Sequence, residues 1–205
     1  MNYQKPYVND LKRQKDAEDI LKRLNRAGLS KEVVLGFFDE SSHYPNANTA
    51  RLWSFGKLRL RKNTAKKEQV NSFGFYALNG GSVYSAKDSS KREAVIEFLK
   101  EVRGRNKGTR IVMILDNFRA HTSGKTKEAA EELGIVLVFL PPYSPDLNPI
   151  EFIWKSIKRN VSALVLMWRE EVRGIVEAVF YELAASLSFA KRWIEKFLVP
   201  FGIMA

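Results

Sequence analysis

Apolar positions along the chain fall into short compact blocks and longer periodic stretches, and the spacing within each sets the element it predicts. Leu11, Ala17, Ile20, Leu21 and Leu24 recur at approximately helical spacing after Asp10, with Ala27-Gly28 as a stop signal, so a helix with one narrow apolar face is expected there. VVLGFFDE at 33–40 is a compact run rich in β-branched and aromatic residues and reads as a central strand that ends on acids. The segment 41–69 is turn-rich and then basic. Within it Leu58 and Leu60 alternate with Lys57, Arg59 and Arg61, the pattern of a short strand or ribbon with one cationic face, which a solvated edge strand shares. VNSFGFYALNGGSVYSAKD at 70–88 predicts a hairpin whose turn, Asn79-Gly80-Gly81, is built from residues that tolerate positive φ.

Asp88 and Ser89 are candidate N-caps for a helix that carries Ala94, Val95, Phe98, Leu99 and Val102 at helical spacing and ends at Gly104. RIVMILDN at 110–117 reads as a strand buried on both faces, 123–134 as a helix closed by Gly134, and IVLVFL at 135–140 as another buried strand. Further on, Ile150, Ile153, Trp154, Ile157 and Val161 form one apolar helix face. Val172, Ile175, Val176, Val179, Phe180 and Leu183 form another stripe, and Trp193, Phe197 and Leu198 mark a closing helix before Pro200. An antiparallel meander of three strands followed by two helix-linked strands describes an α/β fold, a mixed five-stranded sheet flanked by helices. The expected division is a basic helix and linker over 1–30 and one domain with C-terminal helices over 31–205.

Composition narrows the chemistry. With 205 residues, 45% hydrophobic and 28% charged, the chain can bury one sizeable core. No apolar run is long enough to span a membrane, and the N-terminus lacks the apolar region of a signal peptide, so a cytoplasmic, nucleoid-associated location is expected. The absence of cysteine excludes a disulfide scaffold, a thiolate zinc site and a catalytic thiol. Any metal is then held mainly by oxygen, which favours Mg²⁺ or Mn²⁺. A net charge of +11 points towards a polyanionic partner.

Three acids stand at the ends of rigid elements: Asp39 closes the strand at 33–39, Asp116 closes the strand at 111–116, and Glu151 opens the helix after a proline-rich loop. Adjacent parallel strands lie about 4.8 Å apart, so Asp39 and Asp116 can face each other. Glu151, Lys155 and Lys158 share a helix stripe at i, i+4 and i+7, either as a metal ligand with phosphate-contacting cations beyond it or as an ordinary Glu/Lys pair. Phosphodiester cleavage by two divalent cations needs such shared carboxylates.

FFDES at 37–41, ILDNFRAH at 114–121 and LPPYSPDLNPIEFIWKSIK at 140–158 resemble the catalytic core of the DDE transposases of the mariner superfamily, bacterial insertion-sequence branch included. The spacing agrees, with thirty-four residues between Asp116 and Glu151. The resemblance implies an RNase H-like fold, two divalent cations (Mg²⁺ or Mn²⁺) held by the catalytic triad Asp39, Asp116 and Glu151, and transposition of DNA into TA sites by a homodimer. Lys57, Arg59, Arg61, Lys155 and Lys158 are the expected backbone contacts, and His121 and Asn117 the expected supporting residues. Members carry N-terminal helix-turn-helix domains, whereas some thirty residues precede the first strand here, so either a separate helix-turn-helix protein reads the element ends, or that part has been lost, or the chain is a remnant.

Other residues have weaker claims. Glu40 points to the strand face opposite Asp39 and has at most a supporting role. His43 is a lesser candidate than His121. Turn chemistry explains Asp146 and Asn148, with Asn148 also a candidate cap for the helix at 150, and Trp53 and Trp154 read as packing residues. Two alternatives remain open: a non-catalytic DNA-binding remnant of a transposase, and an RNase H-type nuclease acting on RNA–DNA hybrids.

Overall fold

In the computed structural model, which describes residues 15, 18–26, 33–44, 69–142, 144–162 and 168–199, the predicted strands pair into a single sheet. They are β1 (Val34–His43), β2 (Val70–Ala77), β3 (Val83–Lys87), β4 (Ile111–Leu115) and β5 (Ile135–Phe139), in the order β3-β2-β1-β4-β5. β1, β2 and β3 form the antiparallel meander, and β4 and β5 continue the sheet parallel to β1.

Helices cover both faces because both faces of the central strands are apolar. On one face, Val34 and Phe38 of β1 pack with Phe98, Leu99 and Val102 of α2 (Arg92–Arg105) and Ala130 of α4 (Gly124–Glu132). On the other, Leu35 and Phe37 join Ile153, Trp154 and Ile157 of α5 (Ile150–Ser162), Val176 and Phe180 of α6 (Arg169–Ala184) and Trp193 of α7 (Lys191–Phe197). The apolar stripes of α5 and α7 are buried as their spacing requires, and in the α6 stripe Val172, Val176 and Phe180 are buried while Ile175, Val179 and Leu183 are partly buried against the same core. Trp154 is core, while Trp53 lies outside the described residues. Residues 18–26 form helix α1, whose Ile20 and Leu24 enter the same core and whose Arg23 donates to the carbonyl of Phe139 at 2.7 Å. No described helix is long and apolar enough to cross a membrane.

Four local expectations are corrected. Neither Gly80 nor Gly81 takes a positive φ; glycine is needed at 80 for space, since an added Cβ would lie 2.6 Å from Val34 and 2.8 Å from Asn106. Asn106 seals that turn to the end of α2, accepting from Gly81 N at 2.7 Å and donating to its carbonyl at 3.0 Å. Asp88 and Ser89 do not cap α2, which begins after Lys91 without a side-chain cap; Asp88 instead pairs with Arg169 at 3.0 Å. β5 is an edge strand and only partly buried. A short helix, α3 (Arg119–Thr122), intervenes before α4 and is too brief to leave a periodic signature. By contrast α4 is capped as its sequence implies, with Ser123 Oγ accepting from Thr126 N at 3.2 Å and Gly134 in the left-handed region at φ 64°.

Candidate active site

β1 and β4 run side by side in a fixed register, Val34 opposite Ile111 through Phe37 opposite Ile114, and the same offset brings Asp39 level with Asp116, which follows the last residue of β4. Contrary to expectation Asp39 does not close its strand, because β1 runs on to His43 in pairing with β2. Across the other edge of β1, Asp39 pairs with Gly74. That glycine leaves the sheet bare where Trp154 and Phe180 lie on it; a Cβ there would come within 2.6 Å of Trp154 and 2.8 Å of Phe180. α5 therefore settles close against β1, and Glu151, one turn before Trp154, reaches the same end of the sheet. Asp39, Asp116 and Glu151 line one pocket of about 400 Å³ together with Asn117, Phe118, Asn148 and the loop residues Leu140, Pro141, Pro142, Ser144 and Pro145.

The three carboxylates differ electrostatically. Asp39 is 9% exposed; its burial, and after it the charges of Glu151, Glu40 and Asp116, hold its carboxyl well above the ordinary carboxylate range. Partial burial also pushes Asp116 up, but the hydrogen bonds it accepts from His121 and from Phe118 N at 3.0 Å outweigh this and hold it below its ordinary value. Beneath Asp116 the fully buried His121 of α3 joins two acids, with Nδ1 2.7 Å from Asp116 Oδ1 and Nε2 3.0 Å from Glu40 Oε1. Burial alone would discharge the imidazole; the two carboxylates overcome it and raise its pKa to about 9, so both N–H groups donate at neutral pH.

Glu40 does face away from Asp39, as expected, yet it reaches the site through His121. The unforeseen α3 is what folds His121 back beneath the strand ends. Asn117 donates from its side-chain amide to the carbonyl of Leu140, tying the end of β4 to the end of β5. His43 is packed beside Trp154 and bonded through Nδ1 to Ser72 Oγ at 3.0 Å; burial and then the charge of Lys158 lower its pKa to about 4 and keep it neutral. Lys155 and Lys158 stand exposed on α5 beyond Glu151, Lys155 Nζ lying 5.1 Å above the Phe152 ring. Lys57, Arg59 and Arg61 lie outside the described residues.

Two pocket residues carry more than the sequence indicated. Asn148 does not use its side chain as a helix cap: Oδ1 is buried without a partner, while the backbone carbonyl accepts from Glu151 N at 3.1 Å. Phe118 is 48% exposed at the pocket wall. The donor set suits a hard divalent cation, because three carboxylates and an unpartnered buried amide oxygen offer oxygen only. Among the described residues no three His, Cys, Asp or Glu groups already stand at metal-holding separation, so the carboxylates converge on the pocket without being closed around an ion. A larger depression of about 810 Å³ along α4 and β5, lined in part by Arg103, Arg110 and Lys127, shares no residue with the acidic pocket.

The family model described as DDE superfamily endonuclease matches residues 34–172. Among curated proteins, the chain is 41% identical over 69 residues to the uncharacterized protein y4pE/y4sA of Sinorhizobium fredii, covering 33% of this chain and 49% of that protein. It is 41% identical over 54 residues to the transposable element Tcb2 transposase of Caenorhabditis briggsae, covering 26% of this chain and 20% of that protein. Among solved structures, the catalytic domain of Mos1 mariner transposase superposes with TM-score 0.62 at 18% identity over 91% of this chain and 86% of that one. The Mos1 transposase paired-end complex with left transposon end superposes with TM-score 0.65 at 19% identity over 90% of this chain and 57% of that one. Mos1 paired-end complexes have been solved with Mg and with Mn. At these identities the structural likeness is one of fold, and it is the RNase H-like fold with its mixed five-stranded sheet. The chain spans about half the length of the first curated relative and a fifth of the second.

Proposed function

Because the chain belongs to the DDE superfamily endonuclease family, we propose that it is the catalytic part of a transposase that nicks DNA at element ends and joins the freed 3′-hydroxyl to target DNA at TA sites. The observation that carries this reading is the convergence of Asp39, Asp116 and Glu151 on one oxygen-lined pocket in which Asp39 is buried without a compensating cation among its partners. Two divalent cations, Mg²⁺ or Mn²⁺, would be held by these three carboxylates, with the amide oxygen of Asn148 as a further donor. Bound there, such cations activate a water or 3′-hydroxyl and neutralise charge on the leaving oxygen.

The protein's own groups do the rest. Glu40, through His121, holds Asp116 in one orientation and keeps it ionised. Asn117 fixes the end of β4 against that of β5. Lys155 and Lys158, with Lys57, Arg59 and Arg61, bind backbone phosphates and supply affinity without sequence information. In this reading residues 31–205 form the catalytic unit and 1–30 a basic helix and linker. Site selection then falls to a helix-turn-helix partner, and the complex acts as a homodimer on DNA in the cytoplasm, at the nucleoid.

Nicking of supercoiled plasmid in Mn²⁺ tests the reading. The expected result is conversion to open circles by the wild-type protein and none by Asp116→Ala. Equal cutting by both proteins, or none by either, contradicts it. Salt-sensitive DNA binding without any cutting would establish the non-catalytic remnant instead.

A further inference from the structure

The two edges of the sheet are finished differently. At β3 the edge is guarded: Tyr84 N donates to Tyr181 Oη at 3.2 Å, and the buried Lys87 is paired with Glu101 and Glu97 at 2.5 and 3.2 Å. A side-chain cap and a buried charge are devices that keep a further strand from adding. At β5 the edge is Ile-Val-Leu-Val-Phe, without charge or proline, and among the described residues no strand pairs with its outer side. Depressions of about 810 and 430 Å³ flank it, one against α4 and one against α1, and Val136, Leu137 and Phe139 line both. We propose that β5 pairs antiparallel with β5 of a second copy of this chain, about a two-fold axis at Leu137, so that two sheets join into one. The proposal rests on the homodimer of the proposed function for the number of copies, and it gives that dimer a face that needs neither DNA nor cleavage.

Backbone direction is the first argument. Ile111 N donates to Gly134 O and Leu140 N to Leu115 O, so the even-numbered residues of β5 turn their N–H and C=O groups towards β4. Ile135, Leu137 and Phe139 therefore turn theirs outward. The Phe139 carbonyl accepts from Arg23 at 2.7 Å and keeps a second lone pair. A two-fold axis at Leu137 sets Leu137 against its own counterpart and Ile135 against the partner's Phe139, the hydrogen-bonded positions of an antiparallel ladder. Self-complementarity is the second argument. Ile135, Leu137 and Phe139 belong to the core on the α4 side, Val136 and Val138 to the core on the α5 side. The pairing sets Ile135 opposite Phe139 and Val136 opposite Val138, so apolar meets apolar on both faces and each core runs on into its copy. Charge is the third. Lys127 Nζ lies 5.6 Å from the Phe139 ring centroid, whereas Glu131 and Glu132, at the other end of α4, line the depression with Ile135; all three are exposed. Antiparallel pairing inverts β5 and brings Lys127 of one copy to Glu131 and Glu132 of the other, while parallel pairing would set like charges together. Of the cations at the Ile135 end, Arg103 is committed to the carbonyls of Leu133, Asn106, Thr109 and Gly134, and Arg110 lies one strand further in, before β4.

The sequence contains no cysteine, so one introduced thiol reports the axis. In a hydrogen-bonded antiparallel pair the two Cα atoms lie about 5.5 Å apart, within the span of a disulfide. Leu137→Cys protein without DNA should be driven to a covalent dimer by diamide, which takes up two electrons and two protons as two thiols become one disulfide. Ser85→Cys, on the guarded β3 edge, should not. Sedimentation equilibrium of the unsubstituted chain between about 1 and 100 µM should show a reversible dimer. Lys127→Glu, a change at an exposed position, should weaken that dimer by about 2- to 30-fold through the loss of two exposed ion pairs. Adding Glu131→Lys and Glu132→Lys to the same chain should restore it. A monomer at every concentration, a dimer that Lys127→Glu leaves unchanged, or equal cross-linking of the Leu137→Cys and Ser85→Cys proteins overturns the interface. Plasmid nicking in Mn²⁺ keeps the two readings apart. Nicking by a chain that stays monomeric removes this interface alone, whereas a dimer linked through position 137 that nicks nothing removes the catalytic reading and leaves the interface standing.

Discussion

On β1 two consecutive carboxylates face opposite ways and have opposite surroundings. Glu40 ends in a closed arrangement, bonded to an imidazolium that is bonded in turn to Asp116. Asp39 is buried among like charges, with burial and three neighbouring carboxylates all raising its pKa. The fold therefore compensates the acids on the α3 side from within and leaves the acids on the α5 side uncompensated. Buried charge without a partner destabilises a protein unless something from outside neutralises it. On the function proposed above, the difference teaches where a cation would sit: on the α5 side, at Asp39.

The strongest way to break this contrast is to neutralise its open side. Asp39→Asn should lower Mn²⁺-dependent nicking by on the order of 10³-fold or more, since metal-assisted charge neutralisation is worth several kcal/mol. The same variant should be more stable than wild type in EDTA at neutral pH. An acid whose folded pKa is raised contributes stability at low pH and loses it as pH rises from the ordinary carboxylate range through the raised value. Wild type should gain thermal stability on adding Mn²⁺ and Asp39→Asn should gain much less, which a thermal melt with and without metal checks.

The closed side predicts a smaller effect. Glu40→Gln and His121→Ala should each cost about 10- to 100-fold in activity or metal affinity, the usual penalty for disturbing a residue that orients a ligand. Apparent Mn²⁺ affinity should move while the KM for DNA does not. A change confined to KM would mean that Glu40 and His121 serve DNA binding instead.

Packing under the open side can be tested alone. Gly74→Ala should destabilise the fold by about 1–3 kcal/mol in urea denaturation, because the new methyl would displace Trp154 or Phe180. Activity should fall with it as α5 lifts Glu151 away from Asp39.

How much of this could be read from the sequence depends on range. The strands at 33–40 and 110–117 announce themselves as apolar runs, and Asp116 and Glu151 are visible at the ends of their elements, whereas polar residues 40–43 hid the continuation of β1 past Asp39 to His43. The family words at 114–121 and 140–158 mark the pocket walls. Contacts between faces were illegible. Glu40 and His121 are 81 positions apart and meet only because α3, four residues long, folds back under β4. Gly74 reads as an ordinary strand glycine, and only the structure reveals the indole above it. Local propensity also misassigned Asn148, whose place before a helix fits a cap although its buried side-chain oxygen accepts no hydrogen bond. The glycines at 80 and 81 were expected to serve a left-handed turn, but close approach of Val34, Asn106 and Arg105 is what excludes a side chain there.

Titration sharpens the comparison further. His121, raised from 6.5 to about 9 chiefly by Asp116 and Glu40 against the effect of burial, contributes stability that is full below about pH 6.5 and lost as pH rises through about 9. In metal-free buffer the stability difference between wild type and His121→Gln should therefore shrink between those values. A difference that is constant across the window would show that the imidazolium pair is absent. The smallest effect belongs to the surface: Lys155→Ala and Lys158→Ala should each reduce the salt dependence of DNA binding by about one counterion, uniformly across sequences.

The central claim is that Asp39, Asp116 and Glu151 together hold divalent cations, and anomalous diffraction from Mn²⁺-soaked crystals of the protein tests it most directly. The account predicts anomalous density in the pocket between these three carboxylates, lost in Asp39→Asn. Mn²⁺ bound elsewhere, or no density between the acids at saturating metal, would contradict it.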